Sequence, residues 1–326
     1  MLTITNPTAA ELEMTLQVAF QHLSPNEFDL RVGEMMQRYQ SGDLDLKGIF
    51  QAKYDNQRVG AMYSQCRPDG AVMLWVPAMA QGVPLEPMFE SLVQFCRSQN
   101  AFAAVALADR DQLFHEQTFC SVGQFQFLSD IIYLAAEVSP DEPNEPGEPG
   151  EPGETNEPGE TSETDKTPDE PYRLQFLPLS EHSDSVSERL TGLVKATYHH
   201  SLDFPDLMQI APVEHVLQGY KTGTLFRPEL WFILRKEETD VGVLLLTDAS
   251  PEQLELTYMG LLEPVRRQGL SREIVRFAKK ITSREKRLLL LTSVDEKNVP
   301  ACQTYLSHGF KAWDRKKVYA RFFGEV

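Results

Sequence analysis

Hydrophobic positions along this chain recur at two alternating periods, and each change of period marks a new element. In the second half, Val186, Leu190, Leu193 and Val194 recur at helical spacing, and "PVEHVLQGYKTG" predicts a shorter helix that stops at a glycine. "LWFILRKEETDVGVLLLTD" predicts two strands around a polar turn, and "QLELTYMGLL" a third. The segment "LSREIVRFAKKI" places Leu270, Ile274, Phe277, Ala278 and Ile281 on one helical face and its basic residues on the other. "RLLLLTSV" is apolar throughout, as in a strand covered on both faces. "NVPACQTYLSHGF" predicts a short helix with Pro300 near its first turn and Gly309 at its stop, and "KKVYARFF" a final strand. The first half runs in the same order. Two amphipathic helices ("AELEMTLQVAFQHL", "FDLRVGEMMQRYQSG") precede strands with a turn at Asp69-Gly70. A helix ("PLEPMFESLVQFCRSQN"), a buried strand ("AFAAVALAD"), a further helix and a last strand ("FLSDIIYLAAEV") follow. Each half therefore reads as an α/β layer on a mixed sheet.

Composition separates the two halves. Ser139 to Pro171 ("SPDEPNEPGEPGEPGETNEPGETSETDKTPDEP") has no aromatic or aliphatic residue, so it cannot bury enough surface to offset the entropy of ordering. It reads as a disordered acidic Pro/Gly linker, residues 139–171, between domains 1–138 and 172–326. The division gives the net charge of −17 a meaning. Residues 1–138 hold 8 Lys+Arg against 16 Asp+Glu, the linker 1 against 12, and residues 172–326 hold 22 against 20. Much of the acidity thus belongs to a tether and says little about a ligand. Four scattered cysteines without CxxC spacing argue against a zinc site or a disulfide framework, and no metal is expected. The N-terminus lacks the basic and apolar regions of a secretory signal, and no apolar run reaches membrane length. A cytoplasmic protein without membrane contact is the expectation.

The chemistry concentrates in "RRQGLSR", Arg266 to Arg272, between a strand and the start of a helix. Gly269 and Ser271 are small enough for the backbone to bend and for anionic oxygens to approach its N–H groups. The unpaired amides and partial positive charge of a helix N-terminus suit a pyrophosphate, and flanking arginines add charge-assisted hydrogen bonds. Neither a dinucleotide GxGxxG nor a P-loop GK[ST] is present. The basic residues that continue to Arg287 read equally as a solvated helix face.

Together with "NVPACQTYLSHGF", this turn resembles the acetyl-CoA-binding half of the GCN5-related N-acetyltransferases. Arg266, Gly269 and Ser271 match the first motif, and Asn298, Pro300, Ala301, Tyr305, Gly309 and Phe310 the second. The resemblance covers residues 172–326. It implies a GNAT fold and acetyl transfer from acetyl-CoA, the acyl-donor substrate, to an amine. It further implies that Met259-Gly260-Leu261 bind the pantetheine arm through their backbone. Arg267, Gln268, Gly269, Leu270, Ser271 and Arg272, with Arg266 close by, would hold the pyrophosphate. Asn298 would contact the cofactor, and Tyr305 would act as general acid on the departing thiolate. Glu255 is the candidate base, with an exposed strand-end carboxylate as the alternative. Simple alternation puts it on the face of Thr257 and Met259, opposite Tyr258. His199-His200 border the acceptor side, and Asp295 reads as a helix cap. Two departures are Ser271 at a position usually Gly or Ala, and Glu263 where a proline is usual. The first half is similar in element order to a second, diverged copy, as in tandem acetyltransferases. Its cradle segment "VPAMAQGVPLEP" has no Arg or Lys, so this copy is expected to be catalytically silent. An amine acceptor, small molecule or protein, is the expected partner. A non-catalytic acyl-CoA-binding module is the alternative. Nucleic acid is disfavoured by the acidic first half and tether, and a monomer or homodimer is expected.

Overall fold

The computed structural model describes residues 1–109, 116–139, 173–179, 184–222 and 226–323. Beyond Ser139, the linker expected over 139–171 lies outside the described residues. The first half opens with β1 (Leu2–Thr5), α1 (Leu12–Ala19) and α2 (Pro25–Ser41). The start of α2 follows from its sequence: Ser24 and Glu27 form a capping box, Pro25 occupies the first turn, and Gly42 ends the helix at φ 83°. Next come β2 (Ile49–Tyr54), β3 (Gln57–Cys66), β4 (Ala71–Leu74), the short β5 (Ala78–Met79), α3 (Glu86–Ser98), β6 (Ala103–Asp109) and β7 (Gln126–Glu137). In the second half β8 (Gln175–Pro178) leads into α4 (Asp184–Tyr198), the single-turn α5 (Pro205–Met208) and α6 (Val213–Thr222). Then follow β9 (Trp231–Lys236), β10 (Thr239–Ser250), β11 (Gln253–Leu261), α7 (Leu270–Arg284), β12 (Leu289–Asp295), α8 (Val299–Leu306) and β13 (Lys311–Phe322).

All strands join one sheet in the order β1-β2-β3-β4-β6-β13-β7-β12-β11-β10-β9-β8, with β5 beside β3. Read from either edge inward, the order is the same. A meander leads to a parallel pair joined across a helix (β4 and β6 over α3; β11 and β12 over α7), then an antiparallel strand. The last strand is exchanged between the halves. β7 of the first half pairs with β12 of the second, and β13 of the second pairs with β6 of the first. The two halves therefore share one sheet, and the β3–β4 turn of the first half also packs against α6 of the second.

The faces of the second half are set by pairing, since directly opposed residues share a face. Tyr258 of β11 points to the α4 side, where its hydroxyl lies 2.8 Å from Thr197 Oγ1. The other face carries α7, whose Phe277 stacks on Phe176 at 3.7 Å and meets Phe232 edge-on at 5.1 Å. Leu270, Ile274, Ala278 and Ile281 are buried there with Tyr305 and Phe310, as the helical spacing predicts. Among the described residues, no helix is long and apolar enough to cross a membrane.

Candidate active site

β11 and β12 run parallel only from Gln253↔Leu289 to Leu256↔Thr292, and then diverge. Two features open this fork. Thr257 is an extra residue on β11, because Tyr258 opposes Leu245 while Leu256 opposes Leu246. Across the gap, Thr292 Oγ1 donates to Leu256 O at 3.0 Å and closes the last rung. Beyond it, one edge of β11 is unpaired. Leu262 N–H bonds Val241 O on the β10 side, so by alternation the N–H groups of Met259 and Leu261 face the fork. Gly260 is buried with its Cα hydrogen toward α4; a Cβ there would lie 2.6 Å from Thr197 Oγ1 and 2.8 Å from the Tyr258 hydroxyl.

The bulge corrects the alternation argument. Glu255 opposes Thr247 and Tyr258 opposes Leu245, two positions on one face of β10. Glu255 and Tyr258 therefore share the α4 face, while Met259, opposite Leu244, lies on the α7 face. Tyr258 is in the core, at 9% exposure. Burial raises the Glu255 carboxyl above its ordinary range, and the Arg67 guanidinium opposes that shift. Arg67 belongs to the first half. It sits in the β3–β4 turn, ion-paired with Asp69 at 2.9 Å, and this turn packs against α6 so closely that a Cβ on Gly219 would touch Asp69 Cβ at 3.1 Å.

At the cradle, a short turn over Glu263–Val265 leads to Arg267 at φ 61° and Gly269 at φ 78°, with Gly269 as N-cap of α7. No side chain caps this helix; the Arg272 amide bonds Gly269 O at 3.2 Å, which leaves the amides of Leu270 and Ser271 without an intrahelical partner. Arg267, Gln268, Gly269 and Arg272 are exposed, while Leu270 is buried and anchors the turn. Gln268 is bridged to Lys236 at 3.1 Å and to Pro264 O at 3.1 Å. Ser271 is half-buried, its hydroxyl 3.4 Å from that of Thr304 on α8. Buried Glu273 in the first turn accepts the Arg173 backbone N–H at 2.8 Å and its Nε at 2.5 Å, which neutralises a carboxylate that would otherwise oppose an anion.

Arg266 is differently placed from its neighbours. Its Nε donates to Leu261 O at 2.9 Å, and its terminal nitrogens donate to His200 O, Thr197 O and His199 O at 2.9–3.0 Å. The guanidinium caps the C-terminal end of α4 and ties it to the end of β11. It is a structural staple, and the exposed charges of the turn are those of Arg267 and Arg272. The carbonyls it holds fix the loop that presents His199 and His200, whose Nδ1 atoms lie 3.3 and 3.0 Å from the two oxygens of Glu263. The histidine bonds, His200 first, hold the Glu263 carboxyl below its ordinary range. Glu263, where a proline is usual in the family resemblance, thus links the loop after α4 to the turn before α7.

Tyr305 lies on the α7 face at 4% exposure, its ring against Phe310 and its hydroxyl bonded to Thr292 at the base of the fork. Burial raises its pKa well above that of free tyrosine. At the open end stand Asn298, the N-cap of α8, and Asp295. Asp295 is not the helix cap that the sequence suggested, a place taken by Asn298. It is 1% exposed and accepts from Ser129 Oγ, from Phe204 N–H at 3.1 Å and from Lys297 N–H at 2.8 Å, joining β7, the α4–α5 loop and β12. Asp203, absent from the sequence-based candidates, accepts the Asp295 N–H at 2.9 Å and bonds the Asn298 side chain. Nothing local marks Asp203 or Arg67 as part of the site, because the groups that bring them there, Asp295 for Asp203 and Glu255 for Arg67, are remote in sequence.

The first half has no such cradle. Its α3 begins with Glu86 and Pro87, which puts a negative charge and a missing donor where α7 offers free amides.

Residues 196–310 match the acetyltransferase (GNAT) family model. No curated protein sequence matches the chain. Among solved structures, a GCN5-related N-acetyltransferase from Sphaerobacter thermophilus is similar over 98% of this chain and 95% of its own, at 14% identity and a TM-score of 0.60. A GCN5-related glucosamine N-acetyltransferase region of a fungal multi-domain GH3 β-N-acetylglucosaminidase is similar over 98% of this chain and 38% of that protein, at 11% identity and a TM-score of 0.58. The chain thus spans well under half of that second protein, and at these identities the likeness is one of fold.

Proposed function

We propose that this chain, which belongs to the acetyltransferase (GNAT) family through residues 196–310, transfers an acetyl group from acetyl-CoA to a primary amine in its second half. The observation that carries the reading is the fork between β11 and β12, with an uncapped helix N-terminus at one side and a buried tyrosine at its base. The exposed amides of the Arg267–Arg272 turn, with the side chains of Arg267 and Arg272, would bind the pyrophosphate. Met259, Gly260 and Leu261 would hold the pantetheine arm, and a fork-facing N–H of this stretch would stabilise the oxyanion that forms when nitrogen attacks the thioester carbon. Asn298 borders the same space. Tyr305 would protonate the sulfur as the C–S bond breaks; its raised pKa keeps the phenol protonated across the working range. Holding donor and acceptor side by side supplies much of the remaining acceleration.

The acceptor would approach from the α4–α6 face. A cavity of about 530 Å³ opens there beside Tyr198, His199 and His200. We take the first half to be a non-catalytic copy that completes the shared sheet and lends Arg67 to the acceptor side, in a soluble monomer or homodimer that binds neither nucleic acid nor membrane. The test is calorimetric titration of the full chain with acetyl-CoA, with ATP and NAD as controls, followed by assay of thiol release over a panel of primary amines. Micromolar binding of acetyl-CoA alone, with amine-dependent release, is expected. Binding without release from any amine would favour a non-catalytic acyl-CoA sensor.

A further inference from the structure

Acetylation of an ammonium needs a group to take its proton, and two carboxyl groups compete for that task. Glu255 stands at the closed end of the fork, level with Leu291 of β12 and before the Thr257 bulge, with the Arg67 charge as its neighbour. Such an arrangement suits binding of a charged acceptor better than proton transfer at a thioester held beyond the bulge. Asp203 stands instead at the open end, where the α4–α5 loop crosses the gap. Phe204 adopts φ 42° just after it and bonds Asp295, so that the loop is pinned to the tip of β12.

We infer that Asp203 is the general base: its carboxylate takes the proton from the acceptor ammonium at the open end of the fork. The inference rests on the acetyl-transfer reading above. Its geometric basis is that Asp203 is held by the Asp295 N–H at 2.9 Å and by the Asn298 side chain, while its own N–H is held by Ser201 Oγ at 3.1 Å. The group is thus oriented, and it is only partly exposed. Its field reaches Tyr198 on α4, Tyr220 on α6, Tyr258 on β11, and Cys302 and Tyr305 on α8, so it stands where both walls of the fork are within electrostatic range. No cation faces it. Burial first, and the neighbouring Asp295 carboxylate second among the raising effects, lift its pKa to about 6 against the opposing hydrogen bonds from the Asp295 N–H and Asn298. A base near the operating pH is the efficient choice.

The step balances as follows. Asp203 takes one proton from the ammonium, and the freed lone pair forms the C–N bond at the thioester carbon. The C–S bond breaks with its electron pair on sulfur, which receives the Tyr305 proton. The second nitrogen-bound proton restores Tyr305, and the proton on Asp203 passes to solvent.

The experiment uses the full chain and Asp203→Asn, Glu255→Gln and the parent protein. Thiol release from acetyl-CoA is followed from pH 5 to 9, with water and with primary amines as acceptors, and acetyl-CoA affinity is measured in parallel. The parent rate is expected to rise through pH 6. Asp203→Asn should lower kcat on the order of 100-fold and abolish that rise, with acetyl-CoA affinity within about twofold of the parent; Glu255→Gln should keep the rise. A parent that turns over while Asp203→Asn matches it in rate and pH profile overturns the assignment and leaves acetyl transfer intact. A parent that neither binds acetyl-CoA nor releases thiol overturns the underlying reading instead. One arm does not need turnover. With its pKa raised above the unfolded value, Asp203 retains in the native state a proton that the unfolded chain loses between about pH 4 and 6, so its ionisation destabilises the fold above pH 6. Asp203→Asn should therefore raise Tm at pH 8, with the gain shrinking toward pH 4. A Tm difference between the two proteins that does not change from pH 8 to pH 4 overturns the titration near pH 6 that the inference uses.

Discussion

Two adjacent arginines at the cradle have opposite fates, and the difference decides which substitution informs on which property. Arg266 is half-buried and donates four hydrogen bonds to backbone carbonyls, three of them in the α4 terminus and its loop. Removing it leaves those carbonyls without their charged donor, and Arg266→Ala should destabilise the protein by about 2–4 kcal/mol, read as a fall in denaturation midpoint. Any loss of acetyl-CoA binding in that variant would be ambiguous. Arg267 is exposed and already in the left-handed region, so Arg267→Ala should leave the midpoint unchanged while weakening acetyl-CoA roughly tenfold, about one charge-assisted contact. Equal affinity in Arg267→Ala and the parent would remove Arg267 from the cradle. Tyr305→Phe separates chemistry from binding at the other side of the fork. Thr292 keeps its bond to Leu256 O, so the fold should tolerate the change, and kcat should fall about 100-fold with affinity retained. Unchanged kcat would mean that another group protonates the sulfur.

At the scale of elements, the parts that could be read from the sequence are those whose cause is local. The α7 stripe, its glycine N-cap and the proline-started α8 each follow from residues within a turn or two, and they lie where the spacing puts them. The different start of α3 is local in the same way, since Glu86 and Pro87 occupy its first turn. What escaped depends on pairing. The Thr257 bulge exists only in relation to β10, and it moves Glu255 onto the face of Tyr258. Asp203 gains its place from Asp295, 92 residues away, and Arg266 from α4, some 66 to 69 residues away. The fork itself depends on one local permission that can be tested. Gly260 lets α4 approach β11, and Gly260→Ala must displace Thr197 or Tyr258. Overpacking of this kind costs about 1–3 kcal/mol. Here it should also move the end of α4 and the Asp203 loop away from the fork, so kcat should drop more than cradle affinity does. A variant with parent-like stability and kcat would show that α4 needs no such close approach.

For the molecule as a whole, the exchange of β7 and β13 sets the unit of folding. β12 is paired on one side by β7 over seven residues, from Leu289↔Glu137 to Asp295↔Ile131, and β13 lies between β7 and β6. A fragment of residues 172–326 would retain the family-matched segment but expose one edge of β12 and leave β13 with neither of its neighbours. Unpaired strand edges promote association between chains, so this fragment should aggregate or remain largely unfolded. A chain opened by an engineered protease site between Ser139 and Arg173 presents the opposite case. Every strand keeps its partners, because the exchanged strands and not the connecting segment hold the sheet together. The cut protein should therefore migrate as a single particle of unchanged mass under native conditions and separate into two pieces only in denaturant. It should also keep its acetyl-CoA affinity, since the fork, the cradle and Tyr305 all lie on one side of the cut while β7 still supports β12 from the other. Dissociation of the cut halves at micromolar concentration would mean that each half can close its own sheet, and the exchange would then be one of two accessible pairings instead of the one the fold requires.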